Sequence, residues 1–156
     1  MKEELDKQLC EKYPKIFRDR YAPMTETCMC WGIECGSGWY QVIDSLCGQI
    51  QSHIDWSHKS NAIDLEWNEK HPENQREVRP IVEQVIAVQV KEKFGGLRFY
   101  YDGGDDMIDG MVRMAESWAA CSCETCGKPG SLRRGGWLRT LCDEHHEERE
   151  KKYDVA

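Results

Sequence analysis

Cys123, Cys126, Cys142 and His145 stand in the order C-x2-C-x15-C-x2-H near the C-terminal end, and no other feature constrains the fold as strongly. Each close pair clamps an ion from one tight turn, and the chain between the pairs closes a tetrahedral cage. The surrounding residues suit that geometry. Gly127 relaxes the knuckle after the first pair, Gly135-Gly136 can turn a small hairpin, and Cys142 opens a helix-like run to Tyr153. Knuckle, hairpin and ligand-bearing helix describe a treble clef over residues 121–153. Cys142 and His145, three residues apart, share a helix face, whereas His146 points elsewhere. Four protein ligands leave no position for water, so the expectation is one structural Zn²⁺ rather than a catalytic one. Metal-dependent nucleases of this shape carry a catalytic His on the hairpin, and Ser131 to Leu141 contains none.

At 156 residues the chain suits one ordinary domain with a small appendage. The expected division is an α+β core over 1–120 and a zinc-binding module over 121–156. Leu5, Leu9 and Tyr13 mark a first helix over 4–13, ended by Pro14. Residues 21–37 read as irregular, with a short extended piece near Trp31. Trp39, Val42, Ile43, Leu46, Cys47, Ile50 and Ile54 follow helical spacing over 38–54, with Ser37 placed to cap the first turn. Residues 55–80 are polar, contain Pro72 and Pro80, and read as a long surface connection with a turn of helix around Leu65 and Trp67. Ile86, Val88 and Val90, then Leu97, Phe99 and Tyr101, alternate as a hairpin over 84–101 that turns at Gly95-Gly96. Ile108, Met111, Val112 and Ala115 place a third helix over 105–120.

Charge narrows the function. The net charge of −7, from 21 Lys and Arg against 28 Asp and Glu, repels phosphate backbones overall and suits partners with basic surfaces. A local exception runs from Cys123 to Leu141, where Lys128, Arg133, Arg134 and Arg139 face only Glu124 and Trp137 offers a stacking surface. That patch supports a nucleic-acid interface, or else a solvated hairpin paired with the acidic final helix. Nine cysteines, an odd number, with no apolar export segment and no long apolar run, point to a reducing compartment and a cytoplasmic protein. Cys28, Cys30, Cys35 and Cys47 could form a second metal site with His53 or His58, but they lack the paired spacing and read better as small buried hydrophobes. Cys121 reads as a spare thiol. Asp102, Asp105, Asp106 and Asp109 read as a turn and a helix start rather than a cation site. Lys93 and Arg98 flank the hairpin tip and are candidates for an acidic partner. Phosphate-loop, nucleophile-elbow and H-E-x-x-H motifs are absent from the sequence.

Three segments carry a resemblance: Trp31-Gly-Ile-Glu-Cys-Gly-Ser-Gly-Trp-Tyr40, Val90-Lys-Glu-Lys-Phe-Gly-Gly-Leu-Arg-Phe-Tyr100, and Cys123 to His145 with Gly135-Gly136-Trp137 inside it. They resemble a loose group of small, largely uncharacterised proteins encoded by bacteriophages and prophages. The resemblance implies a phage-related origin, a bacterial host cell as location and a zinc-bound C-terminal end. It supplies no catalytic residues, and Cys28, Cys30 and Cys121 lie outside its pattern. The expected function is a non-enzymatic accessory factor, host-modulating or anti-defence, that binds a protein partner. A nucleic-acid-binding module is the second reading and an enzyme the third.

Overall fold

Helix and strand mix along the chain as expected for an α+β protein. The computed structural model describes residues 1–153, as α1 (Glu3–Lys12), β1 (Ile33–Glu34), α2 (Tyr40–Lys70), β2 (Ile86–Lys93), β3 (Gly96–Asp102), α3 (Asp106–Ala119), β4 (Ser131–Arg133), β5 (Arg139–Leu141) and α4 (Asp143–Tyr153). Residues 154–156 of the expected C-terminal module lie outside the described residues. No described helix is long and apolar enough to cross a membrane.

Leu9 and Cys10 bury one face of α1, and Pro14 turns the chain after Tyr13. Asp6 is buried on the same helix. Its carboxylate accepts from Arg20 Nε at 2.9 Å and from the Ile33 backbone N–H at 2.9 Å. Arg20 also donates to the Cys30 carbonyl at 3.1 Å, so one buried ion pair ties the irregular stretch to α1 and places β1. A charge pair this enclosed survives only when its remaining hydrogen-bonding positions are filled, as they are here. The extended piece expected near Trp31 falls at Ile33–Glu34, just after a short 3₁₀ turn over Cys28–Trp31.

β1 pairs parallel with β2, and β2 pairs antiparallel with β3, giving a mixed three-stranded sheet in the order β1-β2-β3. The simple alternation read in β2 is broken. Ala87 lies opposite Tyr101 but Gln89 lies opposite Tyr100, so Val88 is the extra residue of a bulge. Ala87 and Val90, at odd spacing, are consequently both buried. The turn also sits one residue earlier than expected. Phe94 and Gly95 hold φ of 55° and 79°, and Gly96 already pairs with Lys93. This is a two-residue loop with both central residues left-handed, a conformation that costs a phenylalanine about 1–2 kcal/mol and a glycine almost nothing.

Ile108, Val112, Ala115 and Ala119 bury the inner face of α3, which packs against both α2 and β3. The aspartates at its start do the structural work read from their order. Asp105 accepts from the Ile108 N–H at 3.1 Å and contacts His53 Nε2 at 2.8 Å, while Asp109 accepts from the Tyr101 hydroxyl. Ser37, by contrast, caps nothing on α2; its hydroxyl accepts from the Lys2 N–H at 3.0 Å and fastens the start of α1.

The largest correction concerns residues 55–80. α2 does not end near Ile54 but continues to Lys70, 31 residues in all, or about 46 Å. Its second half is held by polar groups. Ser57 Oγ accepts from the Val82 N–H at 2.9 Å. Asn61 donates to the Arg79 carbonyl at 2.6 Å, and Asn68 exchanges two bonds with the Arg76 backbone at 2.7 and 2.8 Å. Asp64 accepts from Arg79 Nε at 2.7 Å and from a second guanidinium nitrogen at 2.8 Å. Residues 76–82 thus form a strap along the helix, and no apolar stripe is needed.

The Arg79 guanidinium hydrogen-bonds Asp64 and holds its carboxyl down to about 2, despite an opposing push from burial. A depressed acid stabilises the fold above its ordinary pKa near 4, and that contribution is lost as pH falls toward 2. The backbone N–H groups of Arg79, Ile81 and Val82 should therefore exchange faster between pH 4 and pH 2 than those of β2. In Asp64→Asn the strap should exchange fast already at neutral pH, with little further change on acidification. Equal acid response in the two proteins would refute this assignment.

Candidate metal centre

The first two ligand positions come from a tight turn in which the Gly127 N–H donates to the Cys123 carbonyl at 2.8 Å. The other two come from the start of α4: Cys142 precedes its first residue, its carbonyl accepts from the His146 N–H at 3.0 Å, and His145 lies on the first turn. Between them, β4 and β5 pair antiparallel with Ser131 opposite Leu141.

Cys123, Cys126, Cys142 and His145 come together so that one ligand atom from each lies within 4.8 Å of all the others. Cys126 Sγ and Cys142 Sγ are 3.8 Å apart, and Cys123 Sγ is 3.7 Å from His145 Nδ1. Cys142 Sγ approaches the same nitrogen at 3.1 Å. A tetrahedral ion with thiolate bonds of about 2.3 Å and an imidazole bond of about 2.0 Å has S–S edges of about 3.8 Å and S–N edges of about 3.5 Å. The four residues fit such an ion, with Nδ1 as the imidazole ligand. Burial pushes the Cys123 thiol up, but backbone N–H groups of Cys142, Cys126 and Thr125 outweigh it and bring it down to about 7. The fold thus supports a thiolate, the form that binds metal.

The knuckle rests on the core through a residue inside the first Cys pair. Glu124 is 5% exposed. Its side chain accepts from the Gly36 N–H at 2.9 Å and from Arg139 Nε at 3.0 Å. Its backbone accepts from the Gly38 N–H at 2.8 Å and donates to the Thr140 carbonyl at 2.9 Å. Beside it, the fully buried Trp39 donates its indole N–H to the Ser122 carbonyl at 2.8 Å. A Cβ on Gly38 would lie 2.2 Å from the Cys123 carbonyl oxygen, so only glycine lets the two backbones touch. On the other side Thr140 Oγ1 donates to the Gly95 carbonyl at 2.6 Å, and a Cβ on Gly95 would lie 2.3 Å from Leu132. The three segments Trp31–Tyr40, Val90–Tyr100 and Cys123–His145 therefore meet at one corner. Compared with protein-family models, curated proteins and solved structures, the chain matches none.

The remaining candidate residues separate. Among the described residues no second group of three or more Cys, His, Asp or Glu gathers at metal distance. Cys35 and Cys47 are buried in the main core, Cys28 and Cys121 are exposed, and Cys30 is intermediate. Burial pushes the Cys35 thiol up to about 12 and Cys47 well above its ordinary range, as suits inert packing. His146 turns away from the ligands, with Nδ1 3.9 Å from Glu150. Most of the basic hairpin is paired: Lys128 with Glu144 at 3.1 Å, Arg133 with Asp143 at 2.5 Å, and Arg139 with Glu124 at 3.0 Å. Arg134 forms no ion pair among the described residues. Arg98 lies 3.7 Å from Glu116, while Lys93 sits 5.6 Å from the Phe94 ring. Sequence reasoning missed Glu124, whose signal was a lone acid inside the Cys pair of an otherwise basic stretch.

Cys126→Ser should lose most of its bound metal by elemental analysis, while Cys47→Ser keeps it despite lower stability. Glu124→Ala strands the Gly36 N–H and Arg139 and should cost about 2–4 kcal/mol in denaturant unfolding with all four ligands intact. Unchanged stability would show that the seat is unimportant.

Proposed function

We propose that this chain is a zinc-stabilised, non-enzymatic binding module of treble-clef type that recognises an amphipathic helix of a protein partner. Three thiolates and one imidazole in a small tetrahedron are the donor set zinc prefers, and they leave no open position for substrate. The ion then has a structural task, holding the knuckle against Gly36 and Gly38.

The observation that carries the protein-binding reading is a groove between α2 and α3. It has a volume of about 370 Å³, with Val42 and Leu46 on one wall and Met111, Met114, Ala115 and Trp118 on the other. Met114 is 72% exposed and Trp118 47% exposed, so large flexible apolar groups stand open to solvent. Methionine-rich grooves between helices accept the apolar stripe of a third helix, because the thioether adapts to its shape. Asp106 and Asp109, both exposed, lie just before Gly110 in α3, Asp109 also accepting from the Tyr101 hydroxyl. They favour a helix with Lys or Arg flanking its apolar face, in keeping with the net charge of −7. The ion pairs that occupy Lys128, Arg133 and Arg139 support this reading over phosphate binding by those three residues. The phage resemblance suggests a partner among phage or host proteins.

Protein purified without chelator should carry about one equivalent of zinc, and its removal should speed exchange in both 121–141 and 36–39. A synthetic helix with a Leu/Met face and a Lys face should bind the wild type and lose at least about tenfold in affinity to Met114→Glu. Zinc content and melting should be unchanged in that variant. Equal affinity in the two proteins, or equal binding of a helix bearing Glu in place of Lys, would sink the reading.

A further inference from the structure

The tips of the two hairpins meet at a pair of aromatic rings that folding alone would not select. Phe94 occupies a left-handed turn position that asparagine or glycine fills at lower cost, yet its ring is not used for packing: it is 71% exposed. Trp137 is 69% exposed. With Gly136 and Leu138 they line a cleft of about 290 Å³. Both tips are fixed by one carboxylate, since Glu92 accepts from the Gly95 N–H at 2.6 Å and from the Trp137 indole N–H at 3.2 Å. Arg149 braces the second tip by donating to the Trp137 carbonyl at 2.7 Å.

Cations lie near the rings, beside the Glu92 carboxylate that joins the two tips. Trp137 also borders a second cavity of about 510 Å³, whose wall carries Arg149, Lys152 and one acid, Glu148, together with Arg139, which is held by Glu124. Lys93 stands beside Phe94, and Arg134 begins the loop that carries Trp137. A ligand that matches this surface has flat faces and negative charge at short intervals, which is the chemistry of a single nucleic-acid strand.

We propose that the joined hairpin tips bind single-stranded nucleic acid, with bases stacking on Phe94 and Trp137 and phosphates lying along Lys93, Arg134 and Lys152. The site is separate from the helical groove and does not use Lys128 or Arg133, which are tied to acids of α4. Exposed aromatic rings accept any base, so binding has little sequence preference. The acidic remainder of the chain keeps affinity modest and makes it sensitive to salt.

The test is fluorescence anisotropy of labelled oligo-dT and oligo-U, roughly ten nucleotides long, at about 20 mM salt. Wild type should bind, and affinity should fall steeply as salt rises to about 200 mM. Phe94→Asn should weaken binding at least about fivefold while the melting temperature stays level or rises, because asparagine adopts the turn more readily. A residue kept for structure alone would not behave this way. Trp137→Ala should weaken binding with zinc content intact, whereas Lys128→Ala and Met114→Glu should leave it unchanged, the last separating this site from the groove. The proposal is overturned by absence of wild-type binding at low salt. It is equally overturned if Phe94→Asn and Trp137→Ala both bind like wild type, or if a proline-rich peptide occupies the two rings while oligonucleotides do not.

Discussion

The contacts of Glu124 decide how this chain is put together. A carboxylate buried between two cysteines of a metal knuckle is costly unless every strong donor position around it is filled. The protein fills them from opposite ends of the sequence, with the Gly36 N–H from the turn before α2 and the Arg139 guanidinium from β5, while the Gly38 N–H takes up the Glu124 backbone carbonyl. The four Cys/His side chains therefore gather beside two glycine amides that the core presents to the knuckle. Trp39, buried beneath, adds an indole hydrogen bond to the same turn and ties the longest helix to it.

Much of this was legible. The ligand set follows from spacing alone, since two Cys/His pairs at those intervals have few other uses, and three of the four helices follow from apolar period and proline. What escaped has a common cause. The second half of α2 buries Ser57, Ser60 and Asp64, residues that a search for apolar stripes scores as solvent-facing. Their burial is made favourable by a strap that cannot be inferred from the helix itself. The bulge at Val88 likewise changes no residue type; it changes the phase, and only the pairing with β3 shows where. Ser37 was suited to a cap but met Lys2 first. Polar partnerships between distant residues leave no periodic trace, and at this corner they are most of what holds the structure.

The same asymmetry governs the two surfaces proposed as binding sites. The α2–α3 groove is apolar because α3 is shorter than α2 and narrow at Gly110, leaving methionines uncovered. The hairpin tips are polar and aromatic because each must fit the other: Thr140 reaches the Gly95 carbonyl, and Glu92 spans both turns. The Cys/His cluster belongs to the module that carries one of these surfaces and the core lies behind the other, so they are shaped by different forces and can vary separately.

The seat of the knuckle bears on how far this metal centre can travel. Small metal-binding fingers are commonly treated as cassettes that carry their own fold wherever they are spliced. Here the bonds to Gly36 and Trp39 cross 88 and 83 positions of sequence, and a cassette cut at Cys121 would leave both behind. It would keep four ligands and lose the floor under its first turn, with Glu124 facing water in place of two amides. This centre is a joint between distant stretches of one chain, and transplanting it means transplanting the socket as well.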